Sequence, residues 1–356
     1  MVDAAPASPL APLAWQGGWR DGCLVLLDQA LLPAHEQRLA RNTSAQVVAD
    51  IQRLAVRGAP LLGLAGAYGL VLAQREALAE GGSPATQQAG FERRAAALAH
   101  ARPTAVNLPR AVAAACDATH ALAHDGAARA QALLAWAQAL EQQEREACAA
   151  IARHGAQALG SARRVLTHCN AGALVTPGWG TALAPLYLLH ARGEAVEAWA
   201  DETRPLLQGL RLTAWELARA GIPCTVVAEG AAPGLMRQGR IQAAIVGADR
   251  ICRNGDVVNK VGTYGVALAC RAHGLPFLVA APRSTFDPGM ASGEAVVIEE
   301  RAGDGDRYLL PGTRPQGVAT CEPAFDVTPA ALVSAYITEL GSHGPGHLPE
   351  ALFAPL

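Results

Sequence analysis

The chain has 356 residues, 51% hydrophobic and 17% charged, enough for a sizeable core and for two domains or one domain with a large extension. Its formal net charge of −2 gives no electrostatic case for nucleic acid or an anionic membrane, and no apolar run reaches the roughly 20 residues of a membrane helix. The start, Met1-Val-Asp-Ala-Ala-Pro-Ala-Ser-Pro9, lacks the basic and apolar parts of a signal peptide, so a soluble cytoplasmic protein is expected.

Residues 13–33 read as a short strand-rich opening, with Leu24–Leu27 the clearest strand. From about Thr43 the text turns helical through residue 158, broken near 81–84 and 102–109. Gly81-Gly-Ser-Pro84 is a loop, and Gly126–Gly155 is a long Ala-rich helix. After Ser161, apolar strands alternate with helices. The strands fall at Arg164–Thr167, Val196–Ala200, Thr225–Ala228, Ala243–Val246 and Pro276–Ala280, with helices such as Leu212–Ala220 and Tyr264–His273 between them. That alternation predicts an α/β protein: a mostly helical N-terminal domain over 1–158, then a Rossmann-like, doubly wound, mainly parallel sheet over 159–342. The Gly-, Pro- and His-rich end reads as an extended or mobile tail, from Gly341 onward at its widest and over 343–356 as a separate segment.

In such sheets ligands bind at the carboxyl ends of the strands. Three strand ends here run into polar, glycine-rich segments: His168-Cys-Asn-Ala-Gly172, Asp201-Glu-Thr-Arg204 with Gln208-Gly209, and Gly247-Ala-Asp249. Cys169 precedes a Gly-rich turn expected to open a helix, whose amides would lower a thiol pKa or hold an anion. Its neighbour His168 invites a Cys–His pair, but adjacent residues on a strand point to opposite faces, which argues against a dyad. Cys23, Cys116, Cys148, Cys224, Cys252, Cys270 and Cys321 form no CxxC pair, so a zinc site or disulfide framework is not expected and small buried residues are. An enclosed carboxyl at a strand end, as at Asp249, can carry a proton at neutral pH, although a cap or loop hydrogen bond is the commoner use of Asp. Asp201, Asp256 and Asp287 look like turn or cap residues.

In the helical half, Arg57-Gly-Ala-Pro60 is a glycine turn with a proline suited to a first helical turn, a plausible anion cradle. Arg102-Pro-Thr-Ala-Val-Asn-Leu108 is a second arginine turn. No GxxxxGK[ST] or GxGxxG motif follows a strand, so the common nucleotide sites are unsupported. The chain has a single lysine, Lys260, although Lys and Arg together number 29. A lysine retained where arginine is otherwise preferred points to a site needing a compact point charge; chance is the plain alternative.

Taken together, RGAP at 57–60, RPTAVNL at 102–108, THCNAGAL at 167–174, DETRPLLQG at 201–209, GADRI at 247–251, GDVVNKVGTYG at 255–265 and AFDVTPA at 324–330 resemble the methylthioribose-1-phosphate isomerases. That family lies in the superfamily of the regulatory subunits of the translation factor eIF2B. The resemblance implies catalysis by Cys169 and Asp249, and substrate binding by Arg57, Gly58, Ala59, Arg102, Gln208, Asn259 and Lys260. It also implies a homodimer, a small sugar-phosphate substrate, a place in methionine salvage, and no metal or organic cofactor. The sequence departs from the family at Pro109-Arg110 and at Arg283, which leaves the accepted 5-substituent open. The alternatives are an isomerase of 5-deoxyribose 1-phosphate or ribose 1,5-bisphosphate, and a non-catalytic eIF2B-like regulatory subunit.

Overall fold

A computed structural model describes residues 8–102, 106–300, 317–346 and 348–354. They fall into two compact units, the first from Met1–Ala147 with Ala173–Gly180, the second from Cys148–Gly172 with Thr181–Ala354.

The first unit opens with an antiparallel meander of β1 (Leu13–Gln16), β2 (Cys23–Leu27) and β3 (Arg38–Arg41). Five helices follow: α1 (Ser44–Gln52), α2 (Ala59–Glu80), α3 (Pro84–Ala99), α4 (Asn107–Ala118) and α5 (Gly126–Leu159), the last running past Ala147 into the second unit. Local chemistry sets their starts. Thr43 and Gln46 close a capping box on α1, while Ser83 accepts from Thr86 and Pro84 occupies the first turn of α3. Helix α2 is buried without interruption from Ala59 to Gln74, so it forms the centre of this unit's core rather than an amphipathic flank. Strand β3 and the turn at 119–125 lie outside the elements predicted from the sequence, and the glycine turn predicted at Arg57–Pro60 closes a longer irregular stretch that begins at Arg53. Residues 103–105 of the second arginine turn lie outside the described residues.

The second unit is built on a seven-stranded sheet of order β13-β12-β10-β7-β4-β5-β6. Its strands are β4 (Arg164–Thr167), β5 (Glu197–Asp201), β6 (Cys224–Val227), β7 (Ala243–Val246), β10 (Phe277–Ala280), β12 (Ala335–Thr338) and β13 (Gly341–His343). All neighbours pair in parallel except β13 on β12. Strands β7 and β10 are buried at every residue, the pattern of a sheet covered on both faces. Helices α6 (Ala184–Ala191), α7 (Ala214–Arg219), α8 (Ala232–Arg237) and α9 (Thr263–Ala272) complete an α/β, doubly wound arrangement. From β4 the chain steps to β5 and β6 on one side, then returns to place β7 on the other. The order therefore reverses between β4 and β7, and the crevice at that reversal is where open α/β sheets take their ligands.

Two features depart from the sequence reading. A small antiparallel sheet of order β11-β9-β8 joins β8 (Arg250–Ile251), β9 (Val257–Lys260) and β11 (Phe325–Thr328), so Asn259 and Lys260 sit on a strand that is not among those predicted. The C-terminal segment is not an appendage. Gly341–His343 pairs with β12, and Leu352 and Phe353 are buried, the Phe353 ring standing edge-on to Phe286 at 5.6 Å. Burying Leu352 and Phe353 removes apolar surface from water and offsets part of the entropy cost of ordering the segment. No helix among the described residues is long and apolar enough to cross a membrane.

Candidate active site

Strands β4 and β7 are neighbours, and their exits carry the two residues the sequence marks for chemistry. Cys169 lies two residues beyond β4 and Asp249 three beyond β7. The exits touch: a Cβ added to Gly247 would lie 2.8 Å from the Ala171 Cβ, so only glycine lets β7 leave past the β4 loop.

Cys169 is buried and holds a left-handed conformation, φ 66°. Its peptide is clamped on both sides. The Cys169 N–H donates to the Thr203 hydroxyl at 2.9 Å, and the Thr213 hydroxyl donates to the Cys169 carbonyl at 2.7 Å. Thr203 itself, at φ 65°, donates to the Asp201 carbonyl at 3.0 Å. Left-handed non-glycine residues cost on the order of 1–3 kcal/mol each and persist only where surroundings over-determine them, as these two threonines do. Next to it, the buried Asn170 amide donates to Thr213 at 3.2 Å and to Glu216 at 2.5 Å. The expected helix directly after Cys169 is absent. Pro177, Gly178 and Gly180 keep the segment irregular, and α6 begins only at Ala184, so the expected helix does not open directly after the thiol.

Asp249 is half-buried, and its N–H donates to the Val258 carbonyl at 3.0 Å, which holds it beside the strand carrying Asn259 and Lys260. The Asn259 amide donates to the Thr263 hydroxyl at 3.0 Å. The Lys260 ammonium donates to the Ala324 carbonyl at 2.6 Å and lies 4.3 Å from the centroid of the Phe325 ring, with the residue only 3% exposed. Gln208 precedes a π-helical turn, Gly209–Thr213, that leads into α7, and its buried Oε1 accepts no hydrogen bond. A buried acceptor left open suits a group waiting for a ligand donor. Cys169, Gln208 and Asp249 thus follow carboxyl ends of strands in the seven-stranded sheet, while Asn259 and Lys260 lie on β9 of the small sheet, tied to Asp249 through the Val258 carbonyl.

The other predicted binding residues lie in the first unit. Gly58, φ 89°, caps α2, with Ala59 at its first residue and Pro60 in its first turn; Arg57 precedes them, half-buried. Arg102 follows α3 and is half-buried. Of the departures from the family pattern, Pro109 is exposed in the first turn of α4, and the Arg283 N–H donates to the Glu339 carboxylate at 3.0–3.1 Å.

Sequence reading missed Thr203, Thr213 and the role of Asp201. Asp201 is no turn residue: it ends β5, fully buried, and pairs with His168 at 3.1 Å. Nothing in a lone Asp or Thr signals a partner more than thirty residues away. Asp256 and Asp287 do behave as turn and cap residues, accepting from Gly293 and Ala330, and from Gly289. Of the seven other cysteines, Cys148, Cys252 and Cys270 are buried as expected, whereas Cys23, Cys116 and Cys224 are half-buried and Cys321 is exposed. Burial pushes the Cys224 and Cys252 thiols to about 11 and that of Cys270 to about 12. No group of three or more His, Cys, Asp or Glu side chains among the described residues is placed to hold a metal ion.

A doubly wound sheet that reverses between β4 and β7, with a clamped cysteine and a half-buried carboxyl just beyond those two strands, is the frame on which α/β proteins handle ligands. Residues 55–345 match the Initiation factor 2 subunit family, and the chain belongs to it. It is 50% identical over 340 residues to the methylthioribose-1-phosphate isomerase of Gemmatimonas aurantiaca, covering 94% of this chain and 96% of that one. It is 48% identical over 339 residues to the 5-deoxyribose 1-phosphate isomerase of Moorella thermoacetica, covering 94% of each. Among solved structures, the 5-methylthioribose 1-phosphate isomerase of Pyrococcus horikoshii is similar with a TM-score of 0.84 and 34% identity, over 96% of this chain and 93% of that one. The eIF-2B subunit delta of A. fulgidus gives 0.82 and 37%, over 98% and 99%.

Proposed function

We propose that the chain is an aldose–ketose isomerase that converts 5-methylthioribose 1-phosphate to 5-methylthioribulose 1-phosphate in methionine salvage. The observation that carries this reading is the placement of Cys169 and Asp249 on the exits of the adjacent strands β4 and β7, at the switch point. Phosphate on the anomeric oxygen prevents the ring from opening to a free aldehyde. Asp249 therefore acts as the acid that protonates the ring oxygen as the bond from C1 to that oxygen breaks. Hydrogen then moves from C2 to C1, with Cys169 beside its path, and the 2-hydroxyl proton returns to the Asp249 carboxylate as C2 becomes the ketone. The sum is an isomerisation that needs no external oxidant or reductant. Gln208, Asn259 and Lys260 orient hydroxyls or stabilise the developing oxyanion, and Arg57, Gly58, Ala59 and Arg102 bind the phosphate. We also place the enzyme in the cytoplasm as a homodimer, which light scattering of the purified protein checks.

Turnover of methylthioribose 1-phosphate by Cys169→Ser and Asp249→Asn is the test. Losses on the order of 10²–10⁴ are expected of acid–base groups; wild-type rates in both variants reject the assignment. A second reading, 5-deoxyribose 1-phosphate as substrate, is favoured by the relative of that name at 48% identity. Steady-state rates on both sugars and on ribose 1,5-bisphosphate separate them, and calorimetric binding without turnover on any of the three favours a regulatory role instead.

A further inference from the structure

The mechanism above leaves unused a fully buried ion-pair candidate directly beside Cys169. The His168 Nδ1 lies 3.1 Å from the Asp201 Oδ2, and its Nε2 lies 2.8 Å from the Val261 carbonyl. Both side chains are 0% exposed, and the second Asp201 oxygen has no hydrogen-bond partner.

These contacts fix the proton count. A carbonyl oxygen only accepts, so the Nε2 must carry hydrogen. Between Nδ1 and the carboxyl there must be one proton more, on nitrogen or on oxygen, because otherwise two lone pairs would face each other around a buried charge. The ring is wedged as well as bonded: a Cβ on Gly262, at φ 105°, would lie 2.6 Å from the His168 Cε1. From its other side, the turn between β9 and α9 is held by Asp326, whose Oδ2 accepts from the Gly262 N–H at 2.7 Å and the Tyr264 N–H at 3.1 Å.

We propose that His168 and Asp201 are a positioning pair that keeps one shared proton at every working pH and, through the Val261 carbonyl, holds the Cys169 turn in register with the strand that carries Asn259 and Lys260. The positioning role rests on the isomerase reading; the shared proton does not. Other charged or titratable groups face the pair: Glu229 after β6 and Asp326 on β11 toward His168, with Glu202 and Cys270 toward Asp201. Burial alone disfavours an imidazolium, but the Asp201 hydrogen bond and charge, the Val261 carbonyl and Glu229 outweigh it, and the His168 pKa lies above its ordinary value. Burial also pushes the Asp201 carboxyl up, so the proton is retained whichever atom carries it.

The test combines ring spectra with kinetics on the full chain. In 15N-histidine NMR, the His168 ring signals, assigned by their loss in His168→Leu or their displacement in Asp201→Asn, are expected to stay fixed from about pH 6 to about pH 9, across the ordinary histidine value of about 6.5. A signal that titrates in that range overturns the shared proton. With methylthioribose 1-phosphate, His168→Leu is expected to lower kcat on the order of 10²-fold with KM within about threefold, the effect of displaced rather than missing catalytic groups. Asp201→Asn is expected to recover most of that rate, because its amide can donate to Nδ1 while Nε2–H still serves Val261. Unchanged kcat in His168→Leu, or equal damage in Asp201→Asn, overturns the positioning role. If the wild-type chain turns over none of the sugar phosphates, the isomerase reading fails while the spectra still decide the protonation.

Discussion

The two units bury different things. In the first, α2 hides a continuous apolar run, and buried charges such as Asp28 and Asp50 are paired with Arg53. In the second, the carboxyl edge of the sheet buries His168, Asn170, Asp201, Thr203, Thr213 and Glu216 together. Carbon burial stabilises without caring much which atom meets which. Buried polar groups cost free energy unless each meets a partner, so they specify geometry. The first unit is built for stability and the edge of the second for placement.

That contrast can be broken by paired truncations. Leu64→Ala, in the first core, is expected to cost about 2–5 kcal/mol, with turnover per folded molecule unchanged. Thr203→Val keeps the shape but removes the acceptor of the Cys169 N–H. Leaving that donor unpaired is expected to cost about 1–3 kcal/mol, while kcat falls on the order of tenfold or more. Thermal melts with steady-state rates check both; equal kinetic damage in the two variants would erase the distinction.

A middle-sized effect is expected of Lys260→Arg. The ammonium donates to the Ala324 carbonyl and lies over the Phe325 face in a residue only 3% exposed, so a bulkier guanidinium must displace buried neighbours. Overpacking should cost about 1–3 kcal/mol, visible in the melt, and turnover should drop with it. Retained stability and rate would return the lone lysine to chance.

The smallest effect concerns Asp256, away from the switch point. Burial pulls its carboxyl upward, but hydrogen bonds from Asn254, Gly293 and Ala330 win and hold it below the usual carboxylate value. Its folded pKa is depressed, so its contribution is present above the ordinary value of about 3.9 and is lost as pH falls through the lower folded value. Asp256→Asn should therefore lower the melting temperature at neutral pH and narrow its gap to wild type in acid. A constant gap would refute the linkage.

Much of this architecture was legible locally. Short runs with apolar centres fixed β4 and β7 to the residue, and β5, β6 and β10 to within one. The Ala-rich stretch from Gly126 was readable as one helix, though it runs on to Leu159 because no proline stops it. The site was legible as strings of residue types at strand ends, and through resemblance. What could not be read was partnership. β11 meets β9 across more than sixty residues, with Phe325 opposite Lys260, and neither strand's periodicity names the other.

Composition and periodicity by themselves determined that there would be a helical part, a buried parallel sheet and polar strand exits, because those patterns record which faces leave water. Only the tertiary structure decided that β7 returns beside β4, that two threonines clamp Cys169, and that His168 shares its proton with Asp201. Those outcomes depend on register and proximity between distant segments, and a hydroxyl or carboxyl carries no mark of its partner until the chain has closed around it.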